Sequence, residues 1–234
     1  MTTARTAGSV IVDCLPAIAD GMVEQSRRLD ALEAPPRVLE STLKAVVRDA
    51  LERPAVEVLD LVVEPTERAI RRPEWPRVGR VDLTLAAPHA NLTAAFVELK
   101  WGYRDALWNC VWDIAKCAIA SRLGLARETL IVGGFSDARE WAHPKYGPLL
   151  TTHEWSTADF QRRYSAEWWH WARPPSGRER HRTGPYRLPA AFSTTLLERH
   201  PFEFDGRAWS LGVVDVRALG DDWLELDDAA QPPD

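Results

Sequence analysis

Three residues with ionisable side chains interrupt an apolar stretch of the sequence. The segment GRVDLTLAAPHANLTAAFVELKW, residues 79–101, alternates in the manner of two strands joined by a turn, and it contains Asp82, Glu98 and Lys100. An ionised side chain on a buried sheet face costs free energy unless it is paired, hydrogen-bonded or bound to a metal. These three residues are therefore candidates for a functional site.

The strand period predicts which of these side chains share a face. Glu98 and Lys100 are two residues apart and lie on one face of the second strand, while Asp82 shares a face of the first strand with Thr84. If the hairpin pairs Asp82 near Glu98, two carboxylates meet beside an ammonium group. Such carboxylates need a compensating cation, and a divalent ion that prefers oxygen ligands, Mg²⁺ or Mn²⁺, would supply it.

The sequence around the hairpin predicts helices on both sides of it. Apolar residues at helical spacing predict helices over residues 8–31 and 37–52, and Pro54 is expected to close the second. The remaining predicted elements are strands over 56–64, 78–86 and 94–101, a helix over 104–123, a strand over 128–136, and an antiparallel strand pair formed by 208–220 and 222–227.

The helix over 104–123 is apolar on most of its surface, so it is predicted to be covered on more than one side. Cys110 and Cys117 lie seven residues apart on its main apolar face and are predicted to be small buried residues. Lys116 lies opposite that face and is expected to be solvated. Gly124 follows as the expected C-cap.

A third carboxylate, Glu40, belongs to the helix that precedes the sheet. It lies three residues before Leu43 and seven before Val47, so it borders the apolar face of that helix. Packing of this face on the sheet would point Glu40 at the edge of the sheet. The alternative is a solvated glutamate in the first helical turn, where the helix dipole favours negative charge.

The pattern Glu40, then Asp82, then Glu98-Leu99-Lys100, on a helix–strand–strand–strand–helix–strand order, resembles the PD-(D/E)xK nuclease superfamily over residues 36–135. Val81, where that motif has proline, is the visible departure. The resemblance implies an α/β, restriction-endonuclease-like fold with a mixed sheet flanked by helices. A Trp-rich C-terminal α+β extension would follow it.

The resemblance also implies a role for each residue of the motif. Asp82 and Glu98, with the carbonyl of Leu99, would hold Mg²⁺ or Mn²⁺. Lys100 would orient or deprotonate the attacking water and stabilise charge on the phosphate. Glu40 would hold a metal-bound water or a second metal. The implied activity is metal-dependent hydrolysis of phosphodiester bonds of nucleic acid, with DNA as the expected substrate.

The same reasoning divides the chain into three segments. An N-terminal helical segment covers 1–35, a nuclease-like core covers 36–140, and the C-terminal extension covers 141–234 and is expected to pack on the same domain.

Arginines in two predicted loops are candidates for contacts with phosphates. Arg77 and Arg80 precede Asp82, and Arg178 and Arg180 lie in a basic segment that runs from 173 to 187. The alternative is that these loops are simply solvated. Nucleic acid is the partner that the first interpretation predicts.

Composition limits the classes of function that fit. The chain has 234 residues, a formal net charge of −5 and three cysteines. The acidic balance argues against a protein that is basic over its whole surface, and the odd number of cysteines suits neither a zinc knuckle nor a disulfide framework. The first residues lack the basic and apolar pattern of a leader, and no stretch approaches about 18 apolar residues, so a cytoplasmic protein without a membrane span is predicted.

The acidic charge leaves an alternative function open. A binding or scaffold module could keep the nuclease fold without turnover and act with a protein partner or as a homodimer. A third possibility is a partner-binding protein whose Trp-rich C-terminal third forms an exposed aromatic interface.

Overall fold

A computed structural model describes residues 5–31, 40–65, 81–88, 93–102, 104–165, 167 and 187–225. Its helices are α1 (Ala7–Ala31), α2 (Glu40–Leu59), α3 (Arg104–Arg122) and α4 (Thr157–Arg163). Its strands are β1 (Val62–Pro65), β2 (Leu83–Ala86), β3 (Thr93–Gly102), β4 (Ala126–Ser136), β5 (His153–Ser156), β6 (Arg187–Phe204) and β7 (Arg207–Glu225). None of the helices within these ranges is both long and apolar enough to cross a membrane.

The strands form one mixed sheet in the order β1-β2-β3-β4-β7-β6-β5. All neighbouring strands are antiparallel except β3 and β4, which are parallel. A parallel pair needs a crossover, and α3 provides it. The predicted α/β class, with a mixed sheet flanked by helices, is confirmed. The C-terminal residues share this sheet, because β7 pairs with β4.

Strand β3 separates two different layers of the core. Val97 and Leu99 point to the layer that contains α1 and α2, and both side chains are fully buried there. Phe96 points to the other layer and packs against Ala115 and Ile119 of α3. Because side chains alternate along a strand, Glu98 and Lys100 lie on the α3 side.

Helix α3 agrees with the sequence prediction in its extent and in its cysteines. It ends at Arg122, and Gly124 follows with a positive φ of 61°, as expected for a C-cap. Cys110 and Cys117 are both buried. The predicted helix over 8–31 is also present, as α1.

The predicted end of the second helix is wrong. Helix α2 continues through Pro54 to Leu59, so the strand predicted over 56–64 begins only at Val62. The apolar stripe explains the continuation, because fully buried residues recur every four positions: Leu43, Val47, Leu51 and Ala55.

The hydrogen bond that Pro54 removes from α2 is partly replaced. Proline has no N–H, so the carbonyl four residues earlier, on Ala50, loses its helical donor. The thiol of Cys14 on α1 lies 3.6 Å from that carbonyl oxygen and donates to it. A proline inside α2 is therefore tolerated because a neighbouring helix partners the released carbonyl.

The strand pair predicted near the C-terminus is also wrong. Residues 207–225 form one strand, β7, which pairs with β6 and β4. The predicted turn around Gly220 is a bulge in β7, because Pro189 pairs with Trp223 and Ala191 pairs with Leu219. Gly220 has a positive φ of 69°, which suits this bulge.

Candidate active site

The pairing of β2 with β3 brings Asp82 close to β3. Leu83 pairs with Val97 and Thr84 with Phe96, so one further step of this register places Asp82 opposite Glu98. The Leu99 N–H donates to Asp82 Oδ2 at 2.9 Å. Asp82 is therefore held at the start of β2 by a backbone donor of β3.

Glu98 lies on the α3 side and is 2% exposed. Its Oε1 is 2.5 Å from the Nζ of Lys116, which projects from α3. Lys116 is itself buried, so the expectation that it is solvated is wrong. The face of α3 opposite its main apolar stripe packs on β3, and there Lys116 meets the Glu98 carboxylate, which needs a cation.

Lys100 bridges the two helical layers near the carboxyl end of β3. Its Nζ lies 2.9 Å from Asp113 Oδ2 on α3 and 3.1 Å from Glu40 Oε2, at the first residue of α2. The same group donates to the carbonyl of Leu99 at 3.0 Å. The structure therefore brings together the predicted residues Glu40, Leu99 and Lys100.

Asp113 is the member of the cluster that sequence reasoning did not select. Its Oδ1 lies 2.6 Å from Lys116 Nζ, so each of its two oxygens faces one of the buried lysines. A signal was present in the sequence, since Asp113 and Lys116 are charged residues three apart on a helix predicted to be covered on more than one side. Because the side of α3 that carries this pair is also covered, both side chains are buried against β3.

The lysines of the chain are concentrated at this cluster. Of 29 basic residues only four are lysines, and three of them contact the carboxylates described above: Lys44, Lys100 and Lys116. Lys44 is the most peripheral, at 3.8 Å from Asp82 Oδ1 and partly exposed. A lysine carries a compact charge on a flexible stem, which distinguishes it from the planar arginine fork.

Burial and charge shift the pKa values of the cluster in opposite directions. Burial, together with the nearby Asp113 and Asp82 carboxylates, raises the pKa of Glu98 well above its usual range despite Lys116. Burial also acts to raise the pKa of Asp113, but the Lys116 and Lys100 ammonium groups outweigh it and lower that pKa. The fold therefore favours the charged form of Asp113 and disfavours that of Glu98.

The lysine pKa values are raised. Burial acts to lower the pKa of Lys100, yet the Asp113 and Glu40 carboxylates outweigh it and the net shift is upward. The pKa of Lys116 is raised for the same kind of reason, through Asp113 and Glu98. Both side chains therefore remain ammonium groups at neutral pH.

Glu40 differs from the other carboxylates in its access to solvent. Its side chain is 43% exposed, and burial of the remainder raises its pKa although Lys100 acts in the opposite direction. It is therefore an accessible carboxylate beside a buried ammonium group, at the outer side of the cluster.

The oxygen groups of the cluster suit a hard cation in their chemistry. Asp82 and Glu98 supply carboxylates and Leu99 a main-chain carbonyl, the donor types that Mg²⁺ and Mn²⁺ prefer. Glu98 Oε1 and the Leu99 carbonyl each face a lysine Nζ. Within the described ranges no three acidic, histidine or cysteine side chains are grouped closely enough to hold a metal as they stand.

Four predicted contacts with nucleic acid lie outside the described residues. They are Arg77, Arg80, Arg178 and Arg180. The predictions for these arginines stay predictions.

No family model matches the chain, and comparisons with curated proteins and with solved structures likewise give no match.

Proposed function

We propose that the chain is a metal-dependent nuclease that hydrolyses phosphodiester bonds of nucleic acid, with DNA as the expected substrate. The observation that carries the proposal is the convergence of Asp82, Glu98 and Lys100 between β2, β3 and α3. Buried ionised groups are costly, and groups with strongly shifted pKa values concentrate at functional sites. The element order α2, β1, β2, β3, α3, β4 is also the order in which the motif was expected.

The proposed cation would be held by Asp82, Glu98 and the Leu99 carbonyl. When bound, Mg²⁺ or Mn²⁺ would supply Lewis-acid activation of the phosphodiester and of water. The hydrogen bond from the Leu99 N–H fixes Asp82 Oδ2 and so orients the carboxylate beside β3. The fixed geometry would spare the site some reorganisation during the reaction.

Lys100 is proposed to stabilise negative charge on the phosphate. Its raised pKa keeps it protonated at neutral pH, so it can donate but cannot accept a proton. Of the two roles that the sequence left open, orienting the water fits this state and deprotonating the water does not. Glu40, accessible and with a raised pKa, is the better proton acceptor.

The test is a cleavage assay on single- and double-stranded DNA and RNA with Mg²⁺ or Mn²⁺. The variants Asp82→Asn and Lys100→Met are expected to reduce the rate by about 10²-fold or more, because the first removes a proposed ligand of the cation and the second removes the charge proposed to stabilise the phosphate. Asp49→Asn is the control, an exposed aspartate of α2 paired with Arg48. Equal rates for all three variants would contradict the proposal.

The alternative function is a binding or scaffold module that keeps the fold without turnover. The observation that favours it is the pairing of Glu98 and Asp113 with Lys116 and Lys100. Such pairing neutralises the cluster without a metal. No cleavage of any substrate, together with no binding of Mn²⁺ by calorimetry, would favour this alternative.

A further inference from the structure

The cluster contains its own cation at a carboxylate that is proposed to hold the metal. Lys116 Nζ lies 2.5 Å from Glu98 Oε1 and 2.6 Å from Asp113 Oδ1. These are distances of direct ion pairs, and all three side chains are buried. Glu98 is therefore neutralised by Lys116 in the protein without metal.

An ammonium group and a divalent cation cannot both remain close to Glu98 without a cost. Two cations a few ångströms apart in a poorly solvated site repel each other strongly. A metal at Glu98 would therefore favour withdrawal of Lys116, just as a metal at the Leu99 carbonyl would displace Lys100 from that oxygen and leave it paired with Asp113 and Glu40. The lysine stem has four carbon atoms and can move its charge without moving α3.

Asp113 provides a position to which Lys116 can withdraw. It lies three residues before Lys116 on the same helix, and it already faces the ammonium group with Oδ1. Its other oxygen faces Lys100, so the two lysines do not compete for one atom. Leaving Glu98 would therefore not leave Lys116 as an unpaired buried charge.

We infer that Lys116 is an internal counter-ion of the metal site. It neutralises Glu98 in the metal-free protein, and it leaves Glu98 while keeping its ion pair with Asp113 when a divalent cation binds. The inference rests on the proposed function, and it makes Lys116 a positioning residue that weakens the affinity for the metal. Lys44, 3.8 Å from Asp82 and partly exposed, performs this role only weakly.

The first test is calorimetric titration of Mn²⁺ into the wild type, Lys116→Met and Lys44→Met. Lys116→Met removes the competing charge but keeps the length of the side chain, so its Kd is expected to be lower by about tenfold or more. Lys44→Met should change Kd by less than about threefold. An unchanged or weaker affinity in folded Lys116→Met would overturn the inference.

A second test uses the unsubstituted chain and so does not depend on the stability of Lys116→Met. The protein contains only four lysines, so a ¹⁵N spectrum of the side-chain ammonium groups is simple, and Lys116→Arg assigns the Lys116 signal. Titration with diamagnetic Mg²⁺ should shift this signal and leave that of Lys145 unchanged. A Lys116 signal that stays fixed while Mg²⁺ saturates the protein would overturn the inference.

The outcomes separate this inference from the proposed function. Binding in the wild type that Asp82→Ala abolishes and Lys116→Met leaves unchanged would support the metal site and overturn the role of Lys116. Binding in Lys116→Met alone would support the role of Lys116. Absence of binding in both proteins would overturn the inference and the metal-dependent function together.

Discussion

The two faces of β3 differ in the kind of side chain that they bury. One face presents Val97 and Leu99 to α1 and α2, and both side chains are completely buried among apolar neighbours. The other presents Glu98 and Lys100 to α3, where they are almost as deeply buried but among charges. Apolar burial stabilises a fold by itself, whereas buried ion pairs are often less stable than an apolar replacement. The apolar face therefore stabilises the fold by burial alone, whereas the charged face depends on how its charges are paired.

If the charged face depends on charge balance, its most sensitive residue is Asp113. The variant Asp113→Asn removes the partner of two buried ammonium groups at once and should lower the free energy of unfolding by about 4 kcal/mol. Urea unfolding at neutral pH measures this. The matched control is Asp49→Asn, since Asp49 forms only an exposed pair and its variant should stay within about 0.5 kcal/mol. Similar losses in both variants would contradict the special role of Asp113.

The stability lost in Asp113→Asn should depend on pH. Because the pKa of Asp113 is lowered from its ordinary value of 3.8, its contribution to stability is complete above that value and is lost as the pH falls through the lower folded pKa. The stability difference between wild type and Asp113→Asn should therefore be largest near neutrality and shrink below pH 3.8. Urea unfolding over a range of acidic pH checks this, and a constant difference would show that the effect of Asp113 does not depend on its charge.

On the apolar face of β3, the volume of each buried side chain should determine its contribution to stability. Leu99→Ala leaves a cavity in the layer beneath α1 and α2 and should cost about 3 kcal/mol. Only the main chain of Leu99 belongs to the proposed site, so the affinity for Mn²⁺ should not change. Leu197→Ala, at an exposed leucine, is the control for stability. A weaker Mn²⁺ affinity in Leu99→Ala would mean that the two faces of β3 are not independent.

The sequence predicted those parts of the site whose positions follow from the two-residue alternation of a strand. Strand side chains alternate with a period of two, so the shared face of Glu98 and Lys100 and the approach of Asp82 could be predicted from the hairpin alone. Lys116 and Asp113 could not be placed in this way. Their spacing on a helix predicted to be covered on more than one side was a signal, but which strand packs on that second side depends on the tertiary fold.

The end predicted for α2 and the turn predicted at Gly220 were also wrong because distant residues determine them. Pro54 is a strong local signal for the end of a helix, but Cys14, 40 positions earlier, partners the carbonyl that Pro54 releases. The turn residues at Gly220 form a bulge because β6 pairs with β7 on both sides of them. The true hairpin turn is Asp205-Gly206, where both residues have positive φ, and this dipeptide was a readable signal.

The smallest effect on stability is expected at Glu98, the most buried acid of the cluster. Its raised pKa means that the fold disfavours its charged form, and Lys116 retains Asp113 if the charge of Glu98 is removed. Glu98→Gln should therefore unfold within about 1 kcal/mol of the wild type, or be more stable. Its binding of Mn²⁺ should nevertheless be lost in calorimetry.

The matched control for Glu98→Gln is Glu167→Gln. Glu167 is also a buried glutamate that contacts a lysine, since its Oε1 lies 2.6 Å from Lys145 Nζ and also accepts the Tyr146 hydroxyl. It lies outside the β2–β3–α3 cluster, so its variant should bind Mn²⁺ as the wild type does. A large loss of stability in Glu98→Gln, with Mn²⁺ binding intact, would make the charged face a structural feature. Loss of binding without loss of stability would mean that the charge of Glu98 is kept for the metal, because the fold itself does not need it.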